Sequence, residues 1–294
     1  MRMKNLISKL LITTFTVSIL FTVKPSIPVL ADSFTVVTLG ADLSDAQKNE
    51  MLKYFEVTKN DANIIEITSK EEYEALGDVA SSDQLGSKAI SCSYVEPTTN
   101  GGLEITTNNL TWVSEGMIRN SLITAGIKNA KVIAAAPFKV SGTAALTGIL
   151  KGFETSSGGE TLDTANKEAA NEEIVVTGDL GDEIGQDDAT NLINDIKKNV
   201  IQDKPSNDEE LNKIINKSIN KYNYQLSTED IEGIKSLMSK INELDLDYSS
   251  LKDELNTISD DLKDKISAEE VSGFFEKLGA FFSSIRDSIA SFFN

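Results

Sequence analysis

Residues 34–55 read FTVVTLGADLSDAQKNEMLKYF, and this stretch decides the fold of the first part of the chain. Its first six residues are mostly apolar or β-branched, as in strands, and a glycine follows them. Asp42 or Ser44 can then cap a helix, on which Met51 and Phe55 recur at helical spacing. The stretch therefore predicts a strand that leads directly into a helix.

A second strand and a short helix are predicted at residues 64–76. Residues 64–68 are again rich in β-branched side chains. Ser69 and Glu72 have the spacing of a capping box, which predicts a helix over residues 70–76. The strand-to-helix order is thus repeated.

Two alternating segments, residues 88–96 and 103–113, flank the turn signal Asn100-Gly101 and predict a β-hairpin. Three further elements follow: a helix from Ser114 to about Ala125, a strand from Ala130 to Ala136 that ends at Pro137, and a helix opened by Ser141 or Thr143. This order predicts an α+β or α/β domain at residues 32–155, with a mixed sheet covered by helices.

The composition changes after residue 155. Residues 156–188 contain ten acidic residues, one basic residue and several glycines, and are interpreted as an acidic, glycine-containing linker. Apolar residues then recur at helical spacing through residue 262. Because amphipathic helices must bury their apolar stripes, residues 189–294 predict an all-α helical bundle or coiled-coil hairpin.

The acidic segment also suggests calcium as a ligand. Five carboxylates beside flexible glycines could supply oxygen ligands to this hard cation: Asp179, Asp182, Glu183, Asp187 and Asp188. The alternative is a solvated acidic connector, and no EF-hand loop is present. No cofactor is predicted.

The last predicted helix, residues 267–294, contains six of the twelve phenylalanines. Its apolar residues repeat at spacings of four and three and form a candidate interface: Phe274, Phe275, Leu278, Phe281, Phe282, Ile285, Ile289 and Phe292. Packing within the chain, self-association or docking to a partner, and membrane contact are the three alternatives. Four acids against two bases make membrane contact the weakest of these.

Residues 1–31 have the pattern of a cleaved secretory signal peptide. Basic residues at 2, 4 and 9 precede an uncharged apolar run over residues 10–23, and small residues precede a cleavage point after Ala31. The run of 14 residues is shorter than the ~20 needed to span a bilayer. The sequence therefore predicts a secreted or loosely envelope-associated protein with no transmembrane segment after cleavage.

Composition excludes several function classes. The chain has no histidine and one cysteine, Cys92, which removes catalytic triads that need histidine, the usual zinc sites and an internal disulfide. After cleavage the net charge is −22, which argues against nucleic acid as the partner, because that binding depends on lysine and arginine. We expect Cys92 to be a buried, unreactive thiol on an alternating strand.

Three segments carry a resemblance to a known family. They are TVVTLGADLS (35–44), TAGIKNAKV (124–132) and APFKVSGTAALTG (136–148). The chain resembles the YpuA-like family of secreted proteins from Gram-positive bacteria, a domain of unknown function. The resemblance implies export, but the family supplies no activity, ligand or catalytic residue.

Two function classes follow from these observations. The preferred one is an exported, non-catalytic binding or interaction protein of the cell envelope or extracellular space. The alternative is a hydrolase that acts on an envelope polymer through paired carboxylates, with or without assistance from calcium, since this chemistry needs neither histidine nor cysteine. No catalytic residue can be chosen from the sequence.

Overall fold

The computed structural model describes residues 35–156 and 161–265, with side chains up to residue 258. The described residues belong to one structural unit, Asp32–Asn294. The predicted cleavage point after Ala31 lies outside the described residues, and so does the candidate interface from Phe274 to Phe292.

A mixed five-stranded sheet forms the first half. Its strands are β1 (Val36–Gly40), β2 (Asn63–Ile67), β3 (Cys92–Pro97), β4 (Leu103–Leu110) and β5 (Ala130–Val140), in the order β2-β1-β3-β5-β4. β1 is parallel to β2 and β4 to β5, whereas β3 is antiparallel to both of its neighbours. The predicted mixed sheet is confirmed.

Five helices accompany the sheet: α1 (Asp45–Tyr54), α2 (Ser69–Leu76), α3 (Ser82–Leu85), α4 (Glu115–Thr124) and α5 (Thr143–Thr155). Strand alternation separates the two faces. Val37 and Cys92 pack on one face with apolar residues of α1. Thr38 and Ser93 point to the other face of the sheet. There Gly148, which has no side chain, lets α5 approach these two residues closely.

The predicted β-hairpin is wrong, because β5 lies between β3 and β4. Asn129 connects the loop before β4 to the start of β5. Its side-chain oxygen accepts a hydrogen bond from the Gly102 backbone N–H (2.9 Å), and its carbonyl accepts one from Thr98 (3.3 Å). The loop from Thr98 to Gly102 is therefore held at the start of β5, and each strand pairs with β5 instead of with the other.

Pro137 does not end β5, contrary to the prediction. β3 pairs with β5 only as far as Ala135, so the missing N–H of Pro137 interrupts no hydrogen bond to that strand. β4 meets β5 again where Leu110 pairs with Val140, past an irregularity in the register.

The second half is a run of helices, as predicted. They are α6 (Thr164–Ile184), α7 (Gln186–Asp203), α8 (Asp208–Tyr222), α9 (Thr228–Glu243) and α10 (Tyr248–Lys265). No helix in the described ranges combines the length and apolarity that a membrane crossing requires.

Helix α6 lies within the segment interpreted as a linker, and this differs from the expectation. Asp163 caps it by accepting from the Ala165 N–H (2.9 Å), and ten of its residues are buried. Buried Gly178 lies against the indole ring of Trp112, so this glycine serves close packing and not flexibility. The acidic composition therefore belongs to a packed helix, on which Glu168, Asp179, Asp182 and Glu183 are exposed while Glu172 and Glu173 are buried.

One cluster of buried apolar residues continues from the sheet into the helices. It contains Val95 and Val132 of the sheet, Ile118 of α4, and residues of α6, α7, α9 and α10 as far as Ile258. Within it, Lys197 of α7 forms a fully buried ion pair with Glu173 of α6 (2.8 Å). The two predicted domains thus share buried contacts.

Candidate functional site

A groove between α6 and α9 encloses a cavity of 370 Å³. Its walls carry four carboxyl side chains above an apolar floor. We call it the acidic groove, and it is lined by Val176, Asp179, Leu180, Glu183, Ser227, Glu229, Asp230, Gly233 and Ile234.

Local sequence explains why the four carboxyls converge. Asp179 and Glu183 are four residues apart, so they lie on one face of α6. Glu229 and Asp230 belong to the first turn of α9, where acids are favoured by the helix dipole. Asp230 also closes a capping box by accepting from the Ser227 backbone N–H (3.0 Å).

The acids of α9 contribute to raising the pKa values of the two carboxyls on α6. The charge of Asp230, together with a hydrogen bond to it, raises the pKa of Glu183. Partial burial raises the pKa of Asp179. The hydrogen bond from Gln84 partly offsets this shift, and the charges of nearby acids add to it. Among the described residues, no lysine or arginine forms an ion pair with any of the four. The groove is therefore strongly negative and favours a cation.

The floor of the acidic groove is apolar and has room. Leu180 and Ile234 are almost fully buried beneath it. At Gly233 an added Cβ would meet nothing within 4 Å. An aliphatic part of a ligand would therefore touch mainly the half-buried Val176, while its charged end meets the carboxyls.

The five predicted calcium ligands do not form one site. Asp179 and Glu183 line the acidic groove with Asp182 nearby, whereas Asp187 and Asp188 belong to the first turn of α7. Burial raises the pKa of Asp188, whose carboxyl hydrogen-bonds to Tyr224. Across the described part of the chain, no three acidic or cysteine side chains are arranged to hold a metal ion.

A second group of interest lies at the edge of the sheet where the parallel strands β1 and β2 end, a common place for binding sites. Ser44, not Asp42, caps α1. The Asp42 carboxylate instead accepts from the Ala89 backbone N–H (2.8 Å) and the Ser69 hydroxyl (3.3 Å). Asp42 is thereby fixed at this edge with its side chain exposed.

Glu72 lies beside Asp42 but is buried. The predicted capping box of Ser69 and Glu72 is wrong, because Thr68 and Glu71 cap α2 one residue earlier. Glu71 also pairs with Lys151, which lowers its pKa to about 2. Glu72 is thus turned inward and is 2% exposed.

Burial raises the pKa of Glu72 to about 7, with a hydrogen bond to Thr143 opposing the shift and the charge of Asp42 adding to it. Its Oε1 atom has no hydrogen-bond partner among the described residues. We call Asp42 and Glu72 the sheet-edge pair. One of its carboxyls is exposed and held by donors, while the other is close to half-protonated at neutral pH.

Two of the three segments that carry the family resemblance, 35–44 and 136–148, reach this edge of the sheet. The chain belongs to the family described as "Protein of unknown function (DUF1002)", whose model matches residues 39–258 and so includes both the acidic groove and the sheet-edge pair. It is 38% identical over 279 residues to the "Uncharacterized protein YpuA" of Bacillus subtilis (strain 168), covering 94% of this chain and 96% of that protein. No solved structure matches the chain.

Sequence reasoning missed three of the residues that matter here, Glu72, Glu229 and Asp230. Ser227 and Asp230 could have been recognised, since Asp230 is three positions after Ser227, as in a capping box. The meeting of α6 with α9 had no such signal, because it depends on the tertiary fold.

Proposed function

We propose that the protein is an exported, non-catalytic binding protein whose acidic groove takes an organic cation. The ligand class is an ammonium group on an aliphatic chain, as in a polyamine or the lysine side chains of a peptide. The observation that carries this proposal is the convergence of four carboxyls, without a paired cation in the described residues, around a 370 Å³ cavity with an apolar floor.

The chemistry of the groove favours such a ligand over a bare metal ion. No coordination site for a metal is present in the described ranges, whereas an aliphatic chain matches Val176, Leu180 and Ile234. An ammonium group would relieve the repulsion that raises the pKa of Glu183 and that adds to the effect of burial on the pKa of Asp179. Binding should therefore weaken as salt is added.

Calorimetry with spermidine tests the groove. We expect heat of binding at low salt, and a loss of affinity of about tenfold or more when Asp179→Asn and Glu183→Gln are combined. Glu232→Gln is the matched control, since Glu232 is an exposed acid of α9 that does not line the groove. Equal losses in the control, or no binding by the unaltered protein, would contradict the proposal. A calcium titration run in parallel checks the metal prediction.

Export is a separate part of the proposal and rests on the leader pattern of residues 1–31. We expect the mature protein, beginning at Asp32, in the culture medium or loosely attached to the envelope. Cell fractionation with N-terminal sequencing measures this. A full-length protein found only in the cytosol would remove the export claim and leave the groove untouched.

The sheet-edge pair favours the hydrolase alternative as a second candidate. An exposed carboxylate beside a buried carboxyl whose pKa is raised is an arrangement that general acid and base catalysis can use. If the protein degrades an envelope polymer, Asp42→Asn and Glu72→Gln should each abolish turnover, while Glu74→Gln on the exposed side of α2 should not. Incubation with purified wall polymers and analysis of released fragments decides between the two functions.

A further inference from the structure

One stretch of chain contacts both candidate sites. It consists of α2, α3 and their connection, residues 69–85, which we call the α2–α3 segment. At one end Glu72 hydrogen-bonds to Thr143 at the start of α5, beside Asp42. At the other end the Gln84 side-chain amide donates to the Asp179 carboxylate in the acidic groove.

Elsewhere in the segment, Glu71 forms an ion pair with Lys151 of α5. Asn171 of α6 donates to the Ala75 carbonyl (3.0 Å), and buried Leu76 and Leu85 anchor the segment. Gly86 follows it at a φ of 68°, a conformation that suits glycine and allows a change of chain direction. Ionisation of Glu72 would act directly on the α2 end of the segment, and the run from α2 to α3 joins that end to Gln84.

Glu72 is the contact that depends on protonation. When neutral, it places no charge in a buried position. When ionised, it puts a second negative charge beside Asp42 and leaves Oε1 charged, buried and without a hydrogen bond.

The groups facing Glu72 do not compensate this charge. Asp42 in the loop after β1 is itself an acid, and Thr143 of α5 supplies only a hydroxyl. Lys151 of α5 is already paired with Glu71, and the side chain that α6 directs at α2 is the neutral Asn171. Ionisation therefore acts against the docking of α2 on α5.

We propose that the proton on Glu72 holds the α2–α3 segment in place, and that its loss releases the segment and frees Asp179 from Gln84 for ligand binding. The last step rests on the proposed function, whereas the release of the segment does not. By linkage, a cation bound in the acidic groove should in turn favour the ionised form of Glu72.

Hydrogen exchange measured by mass spectrometry tests the release without any ligand. The whole protein is compared at about pH 6 and about pH 8, on either side of the Glu72 pKa of about 7, with rates corrected for intrinsic exchange. Peptides covering residues 69–85 should lose protection by about tenfold at the higher pH, while the sheet keeps its protection. In Glu72→Gln, which is neutral at both pH values, this difference should vanish.

Glu74→Gln is the control, because Glu74 is exposed and its one ion pair within the described residues is with Lys70 on the same helix. It should keep the pH difference. An unaltered protein with equal protection at both pH values, or a Glu72→Gln variant that keeps the difference, would overturn the proposal. If Glu72→Gln folds poorly, carbon NMR of the glutamate carboxyls in the unaltered protein decides whether Glu72 titrates together with the loss of protection.

Spermidine calorimetry tests the last step. The carboxyls of the acidic groove add their own pH dependence, so the comparison is between the unaltered protein and Glu72→Gln. Affinity should rise more steeply with pH in the unaltered protein, and Gln84→Ala should raise affinity at about pH 6. Equal pH dependence would refute the coupling even if the groove binds. No binding in any variant would refute the proposed function and leave the exchange result standing.

Discussion

At the scale of single residues, the ion pair of Lys197 and Glu173 is the most costly contact to break. Lys197 Nζ also donates to the Asn120 carbonyl (2.8 Å) and contacts the Thr124 hydroxyl (3.2 Å), and both members of the pair are fully buried. Burial lowers the pKa of Lys197, an effect that Glu173 opposes. Lys197→Met should therefore lower the free energy of unfolding by ~3–5 kcal/mol, because a buried carboxylate loses its partner.

Urea unfolding measures this loss. The double variant Lys197→Met with Glu173→Gln should recover much of it, since no isolated charge then stays buried. A double variant as unstable as the single one would show that packing and not charge accounts for the loss.

Cys92 provides a second test at this scale. It is fully buried in the sheet, as the alternation of its strand predicts, and burial raises the pKa of its thiol to about 12. We expect no reaction with a thiol reagent in native buffer at neutral pH and complete reaction in denaturant. Rapid labelling of the native protein would mean that the strand opens readily.

Residue-level prediction fails where the sequence offers two equivalent patterns. Thr68-Ser69 followed by Glu71-Glu72 allows two capping boxes, each with the correct spacing. The structure uses Thr68 and Glu71, because Lys151 of α5 attracts Glu71. Local sequence alone could not choose, so the burial of Glu72 and its role at the sheet edge were not predictable.

At the scale of elements, two helix glycines give opposite predictions. At Gly178 of α6 an added Cβ would overlap the ring of Trp112, while at Gly233 of α9 it would meet open space. Gly178→Ala should lower the free energy of unfolding by ~1–3 kcal/mol. Gly233→Ala should raise it by ~0.5–1 kcal/mol.

Fluorescence distinguishes these effects, because Trp112 is the only tryptophan. Gly178→Ala should shift the emission to longer wavelength as the ring is displaced, and Gly233→Ala should leave it unchanged. Emission unchanged in both would mean that Trp112 does not lie against α6 as described.

The helices and strands themselves were largely predictable from the sequence. Which of them lie next to each other in the fold was not. Helical spacing, caps and β-branched runs are local, and they located most helices and strands. The position of β5 between β3 and β4 involves contacts between residues far apart in the sequence, such as Asn129 and Gly102, 27 residues apart, which no local pattern reveals. The acidic composition before Asp188 indicated a linker, because composition does not show that ten residues of α6 are buried.

At the scale of the whole molecule, pH should change stability through Glu72. Its folded pKa of about 7 lies above the ordinary value of 4.5, so between these values the folded protein holds a proton that the unfolded chain has lost. Stability should therefore fall as pH rises from 4.5 to 7 and stay lower above that. Glu71 acts in the opposite sense, since its pKa is lowered to about 2 and its contribution is lost in acid.

Glu72→Gln should remove this decline and make the protein more stable at about pH 8 by ~1–3 kcal/mol, with little change at about pH 4. Urea unfolding at both pH values is the measurement, and Glu74→Gln is the reference. A variant no more stable than the unaltered protein at the higher pH would show that Glu72 is ionised without cost.

The continuous apolar cluster also determines how the chain can be divided. A polypeptide that stops after Thr155 would keep the entire sheet, yet it would leave Ile118 and the rest of the α4 surface facing water where α6 and α7 now lie. We expect such a fragment to bind hydrophobic dyes and to unfold without a sharp transition, as measured by calorimetry. A sharp melting transition would establish residues 32–155 as a module that folds independently. Its absence would mean that the sheet half needs the packing of α6 and α7 in order to fold cooperatively.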